Sequence, residues 1–228
     1  MRTAFLLALV GCSAPRPAPV APPSPAQPMP GRPAVATTTR DPAPPAFRLP
    51  GDVVPVRYRL EQTIVPDRDR VQGDIRIDAT VPRPARVVWL NARGISVAKA
   101  RIDGRAARVI AGGEEFVGLA ADRELAPGPA VIDIAYEAAI DRDKSRGIYS
   151  EREGKDAYVY TFFEAIDARR AFPCFDEPNY KVPWTLVFHV RKGDVARGNA
   201  PIVREVDEPA GMKKVELAES KPMPSYLV

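Results

Sequence analysis

Apolar and polar residues alternate along most of the chain from Val53 onward, and a period of two predicts strands. Val53 to Leu60 reads VVPVRYRL and Val71 to Val81 reads VQGDIRIDATV, each with apolar side chains at every second position. Arg86 to Leu90, Ile95 to Ile102, Ala106 to Ile110, Glu115 to Leu119 and Ala130 to Tyr136 continue the series, with Pro127-Gly128-Pro129 as a turn before the last. Asp141 to Gly154 is polar and charged and reads as a loop, with Arg146 to Tyr149 placed to return to the sheet surface. Tyr158 to Phe163 is strand-like, and Ala168 to Phe172 suits a helical turn bounded by Pro173. Pro183 to Val190 is another strand, Asn199 to Glu205 and Met212 to Leu217 form a hairpin, and Ser225 to Val228 begins one more strand. No segment carries the 3.6-residue period of an amphipathic helix, and no internal repeat is visible. Many short strands punctuated by Gly and Pro predict an all-β fold, a sandwich or barrel-like sheet pair.

The residues before this region follow a different pattern. Met1 to Cys12 reads MRTAFLLALVGC: one positive charge, a short apolar run, then a cysteine. The run is too short to span a bilayer as a helix. Leu9-Val10-Gly11-Cys12 looks like a bacterial lipobox, in which the chain is cleaved before the cysteine and Cys12 is lipidated. The alternatives are an ordinary secretory signal with a chance cysteine, or a misplaced start. Ser13 to about Pro50 is rich in Pro and Ala and buries too little apolar surface to fold, so it reads as a disordered tether. Pro-rich chain extends at about 3.1 Å per residue, giving a reach on the order of 100 Å. This reading puts the chain in the bacterial cell envelope, on the outer membrane or its periplasmic face, and otherwise in the periplasm or outside the cell.

Composition narrows the chemistry. The 26 prolines among 228 residues suit strand edges and turns better than helix interiors. The net charge of +4 comes from arginines scattered among Asp and Glu, without the basic block or stripe of a nucleic-acid binder. A single histidine, His189, argues against a histidine-based metal site, and on its alternating strand it reads as structural. The two cysteines, Cys12 and Cys174, are each explained locally, the second as a buried thiol packed beside Phe172 and Phe175. Trp89 and Trp184 read as core aromatics.

Tyr158 to Pro178, YVYTFFEAIDARRAFPCFDEP, concentrates the chemistry-bearing residues. It holds Glu164 between aromatics and Asp167, then the adjacent Arg169 and Arg170, then Asp176 and Glu177 closed by a proline. On residue types alone, Glu164 is either a ligand-binding carboxylate or the partner of Arg169 or Arg170. Asp167 suits the cap of the helical turn that follows it. Asp176 and Glu177 either orient their loop by hydrogen bonds or pair with Arg170.

Thr161 to Pro178 closely resembles a signature of the aminopeptidase N type of zinc metallo-aminopeptidases, whose usual form runs T-Q-F-E-A-T-D-A-R-R-A-F-P-C-F-D-E-P. Tyr58-Arg59-Leu60 with Gly73-Asp74-Ile75 looks like the first strands of that family's N-terminal domain. Lys221 to Leu227, KPMPSYL, looks like its P-M-S-T-Y-L segment. The resemblance runs from about Val53 to the last residue and implies a saddle-like β-sandwich of mostly antiparallel strands, spanning 51–228.

In such enzymes a catalytic domain follows, carrying G-A-M-E-N and H-E-x-x-H, and zinc is the cofactor of the intact enzyme. None of these motifs occurs in this sequence, so the resemblance implies a domain apparently cut before its catalytic partner, with no catalytic or metal-binding residue of its own and inactive alone. Glu164 corresponds to the glutamate that grips the substrate's free α-amine, so peptide N-termini are the implied ligands. Phe162 stands where the family often has Gln, beside the first substrate side chain. Arg169, Arg170, Asp167, Asp176 and Glu177 shape the loop that presents Glu164. The rival reading is a non-catalytic, lipid-anchored binding or assembly module, and a third is complementation by a separate catalytic chain.

Overall fold

The computed structural model describes residues 41–228, so the lipobox with Cys12 and most of the expected tether lie outside the described residues. Asp41 to Val228 form one compact unit. Residues 41–50, expected to belong to the tether, are part of it: Leu49 is buried, and Asp41 holds Arg108 at 2.6 Å.

Thirteen strands fill the described residues in chain order: β1 (Val54–Thr63), β2 (Arg70–Val81), β3 (Ala85–Asn91), β4 (Ser96–Ile102), β5 (Arg105–Ala106), β6 (Arg108–Gly112) and β7 (Phe116–Leu125). There follow β8 (Gly128–Ala139), β9 (Gly147–Glu153), β10 (Asp156–Phe162), β11 (Trp184–Arg191), β12 (Ile202–Glu208) and β13 (Met212–Leu217). Three single-turn 3-10 segments, Ala168–Arg170, Pro209–Gly211 and Ser225–Leu227, are the helical elements among the described residues. An eight-stranded sheet runs β12-β13-β11-β1-β2-β8-β4-β5, a three-stranded sheet runs β3-β7-β6, and β9 and β10 form a hairpin of their own. The fold is an all-β sandwich, as the alternation predicts.

Alternation places the core. On β2, Val71, Ile75, Ile77, Ala79 and Val81 are buried, and across from them on β8 so are Ala130, Ile132, Ile134, Tyr136 and Ala138. With β3 and β7 they enter one continuous apolar cluster, each large side chain contributing about 1.5–3 kcal/mol by burial. Gly73 is required in this ladder, because a Cβ there would lie 2.4 Å from the Tyr136 ring. The Tyr136 hydroxyl accepts a hydrogen bond from buried Gln62 at 3.0 Å.

All strand pairings in the three sheets are antiparallel except β1 with β11. That parallel register sets Tyr58 beside Trp184, whose rings stack 3.9 Å apart at an interplanar angle of 3°. Both are buried, so Trp184, like Trp89, is a core residue.

Four local expectations are corrected. The loop expected over 141–154 contains β9, which pairs with β10 from Gly147↔Phe162 to Glu153↔Asp156. Its polar residues concealed it, because this hairpin is exposed along much of its length. Ala106 to Ile110 is two strands in different sheets, β5 and β6. Gly128 and Pro129, expected in a turn, open β8; Pro129 is tolerated because β4 first pairs with β8 at Ile132, leaving that flank free. Ser225–Leu227 is a 3-10 turn rather than a strand, with Leu227 N–H donating to the Pro224 carbonyl at 3.2 Å. No helix among the described residues is long and apolar enough to cross a membrane.

Candidate functional site

The stretch Tyr158 to Pro178 leaves the hairpin at Phe162 and enters the core at Phe163. Phe163 packs edge-on against Phe172 with ring centroids 5.5 Å apart, and Phe172 lies against Trp184 at 5.6 Å. Asp167 N–H returns to the Phe163 carbonyl at 2.9 Å, and the turn Ala168–Arg170 follows. Glu164, Ala165 and Ile166 therefore form a short exposed bulge between two buried anchors, Phe163 and Ala168.

Arg169 ties the far side of this bulge to the core. Its side chain is 10% exposed and that of Asp176 is 2% exposed. Arg169 Nε donates to Asp176 Oδ2 at 2.9 Å, Nη2 to the Asp176 carbonyl at 3.2 Å, and Nη1 to Glu115 Oε2 at 3.1 Å. Burial disfavours the charge on Arg169, but hydrogen bonds to Asp176 and Glu115 outweigh it and hold the guanidinium above its usual range. Asp176 Oδ1 accepts the Ser225 hydroxyl at 2.5 Å, and its N–H donates to Asn91 Oδ1 at 3.0 Å. Asn91 also exchanges backbone hydrogen bonds with Cys174, at 2.8 and 3.0 Å. The Tyr58 hydroxyl accepts the Phe175 N–H at 3.0 Å. Every polar group of this anchor has a partner, as a buried network requires.

Asp167 makes no side-chain cap; its Oδ1 instead holds Arg170 Nε at 2.6 Å. Of the two readings of Asp176 and Glu177, orienting the loop by hydrogen bonds holds and pairing with Arg170 does not. Asp176 pairs with Arg169, and Glu177 Oε1 accepts the Leu49 N–H at 2.8 Å. Gly147 opens β9 at φ +62° directly against Arg170, where a Cβ would lie 3.0 Å from the Arg170 Cβ. Cys174 is a free, fully buried thiol whose pKa burial pushes well up, with Asp176 adding to the effect. It is no nucleophile in this setting.

With Arg169 and Arg170 engaged elsewhere, Glu164 has no hydrogen-bond or ion-pair partner among the described residues. It is exposed on the surface of the described residues. Phe162 is half exposed and continues an aromatic face with Tyr158 and Tyr160, whose rings lie 6.0 Å apart. A groove of about 670 Å³ lies beside Arg170, lined by Arg93, Ile95, Val97, Val109 and Phe116 among others; Glu164 is not part of its lining. Among the described residues no group of three or more His, Cys, Asp or Glu is placed to hold a metal ion, so they offer zinc no ligand set.

Asn91, Glu115, Ser225 and Tyr58 belong to the anchor and were not legible as such. Ser225 and Tyr58 lie in segments that carry the family resemblance, which was their available signal. Asn91 and Glu115 had none.

The Peptidase M1 N-terminal domain family matches residues 54–227. Aminopeptidase M1-D of Oryza sativa subsp. japonica is 36% identical over 166 residues, covering 68% of this chain and 19% of the relative. Glutamyl aminopeptidase of Homo sapiens is 29% identical over 197 residues, covering 80% of this chain and 21% of the relative. The chain thus spans only 19% and 21% of the lengths of these two curated relatives. The crystal structure of an M1 zinc metallopeptidase from Deinococcus radiodurans shares the fold, with a TM-score of 0.67 at 19% identity over 78% of this chain and 42% of that one. A variant of that enzyme bound to a Tyr-Ser-Ala substrate matches equally well, at a TM-score of 0.67.

Proposed function

Because the chain belongs to the Peptidase M1 N-terminal domain family, we propose that it is the substrate-gripping domain of a zinc aminopeptidase, with Glu164 binding the free α-amine of a peptide. One observation carries this reading: Glu164 is the carboxylate of the stretch without a partner, on a bulge fixed at both ends by buried residues. A carboxylate so held accepts charge-assisted hydrogen bonds from an ammonium, and fixing the amine sets cleavage at the first peptide bond. Other surfaces of the intact enzyme complete the cleft around Glu164. The zinc and its catalytic base belong to residues outside the described ones, and the chain by itself is inactive.

Two measurements test this. The purified chain, given zinc and an aminoacyl-arylamide, should show no turnover; turnover above background overturns the claim of inactivity. In an enzyme joining this domain to a zinc-binding domain, Glu164→Gln should raise KM for the aminoacyl-arylamide about tenfold to a hundredfold, the loss of one hydrogen bond to a charged group. An unchanged KM removes the amine-binding role.

The reading extends to location. Leu9-Val10-Gly11-Cys12 supports lipidation at Cys12 and tethering to the bacterial cell envelope. Incorporation of labelled palmitate that disappears in Cys12→Ser is the expected result, and label retained in that variant refutes the assignment.

A further inference from the structure

His189, the chain's single histidine, has no part in the proposed amine site. It lies on β11, in register with Thr63 of β1 on one side and Lys214 of β13 on the other. Both ring nitrogens are engaged. Nε2 is 2.7 Å from Glu61 Oε1 on β1, and Nδ1 is 2.7 Å from Glu208 Oε2 at the end of β12. β12 is the edge strand of the eight-stranded sheet and shares no ladder with β1; β13 and β11 lie between them. One imidazole therefore links the outer edge of the sheet to its centre.

A neutral imidazole carries one N–H, so it donates to one carboxylate and turns a lone pair toward the other. The imidazolium donates to both. The link is thus complete in one protonation state and half broken in the other.

The two carboxylates favour the complete state, while the nearby cations are engaged with acids. Arg59 of β1 lies 3.7 Å from Glu61 and 3.2 Å from Glu216 of β13, and Lys214 Nζ is 4.0 Å from Glu61. Asp74 of β2 stands opposite Glu61, and its pKa is raised by burial and by Glu61. Arg191 of β11 is turned away to Asp67 at 2.7 Å, and Lys192 and Asp207 pair with each other. No cation among these lies within ion-pair distance of His189 itself.

We propose that Glu61, His189 and Glu208 form a pH-operated clasp that fastens the edge hairpin β12–β13 to the centre of the sheet while the imidazole is protonated and releases one of its two carboxylate ends when it is not. Burial alone lowers the imidazole's pKa, but the hydrogen bonds to Glu208 and Glu61 outweigh it and leave the value above the ordinary 6.5. The folded-state value is raised, so the clasp's contribution is fully present below pH 6.5 and is lost as pH rises through the folded value.

The single histidine makes the test direct. Its ring proton resonances should titrate above 6.5 in the folded chain. Across that same interval, the amides of β12 (Ile202–Glu208) should lose about tenfold more protection from hydrogen exchange than the centre of the sheet, after correction for base catalysis. Glu208→Gln should lower the imidazole's titration midpoint and flatten the step, and His189→Gln should remove it. An imidazole titrating at or below 6.5, or β12 amides that follow the rest of the sheet through the transition, overturns the proposal. Should His189→Gln fail to fold, the unmodified chain and Glu208→Gln still decide the matter.

Discussion

The two halves of Tyr158 to Pro178 satisfy their polar groups in opposite ways. From Arg169 onward, charged side chains point inward, and Asp176 answers Arg169, Ser225 and Asn91 at once. Before Ala168, the hairpin and bulge turn Tyr158, Tyr160, Phe162, Glu164 and Ile166 outward, and Glu164 has no partner within the described residues. Similar residue types thus serve two ends: one half spends its charges on holding the loop, and the other keeps a carboxylate free. A free carboxylate on a mobile loop would bind an ammonium at a high entropic cost, whereas one pinned between Phe163 and Ala168 is already positioned. If Glu164 binds the amine as proposed, the division also separates stability from recognition.

The largest effect should come from the buried half. Arg169→Met leaves Asp176, whose side chain is 2% exposed, without its charge partner. Removing one member of a buried pair costs about 3–5 kcal/mol. For a chain of this size that lowers Tm by roughly 6–20 °C, readable by circular dichroism or calorimetry. A loss below about 1 kcal/mol would mean that the loop is held by packing of Phe163, Phe172 and Phe175 and not by the ionic network.

Ser225→Ala comes next. It removes the donor to Asp176 Oδ1 and leaves a buried acceptor short, which costs about 1–3 kcal/mol. Combined with Arg169→Met, the two losses should not add, because both act through Asp176, and a coupling of at least about 0.5 kcal/mol is expected from denaturant titration of the four forms. Strict additivity would separate Ser225 from the anchor.

The legible and illegible parts of the fold divide along similar lines. Strands with one face in the core announced themselves, since alternation on β1, β2 and β8 is the imprint of one-sided burial. β9 did not, because Ser150 to Glu153 face water or the rim and carry no apolar period. The apolar Tyr226-Leu227-Val228 imitates a strand at the turn of Ser225, although Pro222 and Pro224 remove ladder donors just before it. The parallel pairing of β1 with β11 joins residues more than a hundred positions apart, and local pattern carries no trace of it. At the site, the family signature carries Glu164. That Asp176 meets Arg169 and not Arg170 is not legible, because adjacent arginines are alike in sequence and differ only in which way the turn Ala168–Arg170 points them.

On the exposed half the stability effects should nearly vanish. Glu164→Gln breaks no hydrogen bond or ion pair among the described residues, so its stability change should fall within about 0.5 kcal/mol. If it destabilises the isolated chain by more than that, Glu164 has a structural partner and the contrast between the halves weakens. A stable Glu164→Gln chain paired with the KM increase expected in an intact enzyme would sharpen it.

The smallest effect on the fold, and the finest test of recognition, belongs to Phe162. Its ring is 51% exposed and lies two residues before Glu164, on the same strand face as Tyr160. Phe162→Gln exchanges an exposed apolar ring for an amide, so stability should move by no more than about 0.5 kcal/mol. The amide would add a donor and an acceptor beside the position that the first substrate side chain takes when Glu164 holds the amine. Apolar first residues should then lose ground to polar ones, by about tenfold or less in relative kcat/KM, since a hydrophobic contact of one or two methylenes discriminates only weakly. The measurement is a panel of aminoacyl-arylamides on an intact enzyme bearing either residue. Unchanged relative rates would place the first side chain elsewhere and confine the recognition half of the stretch to Glu164 alone.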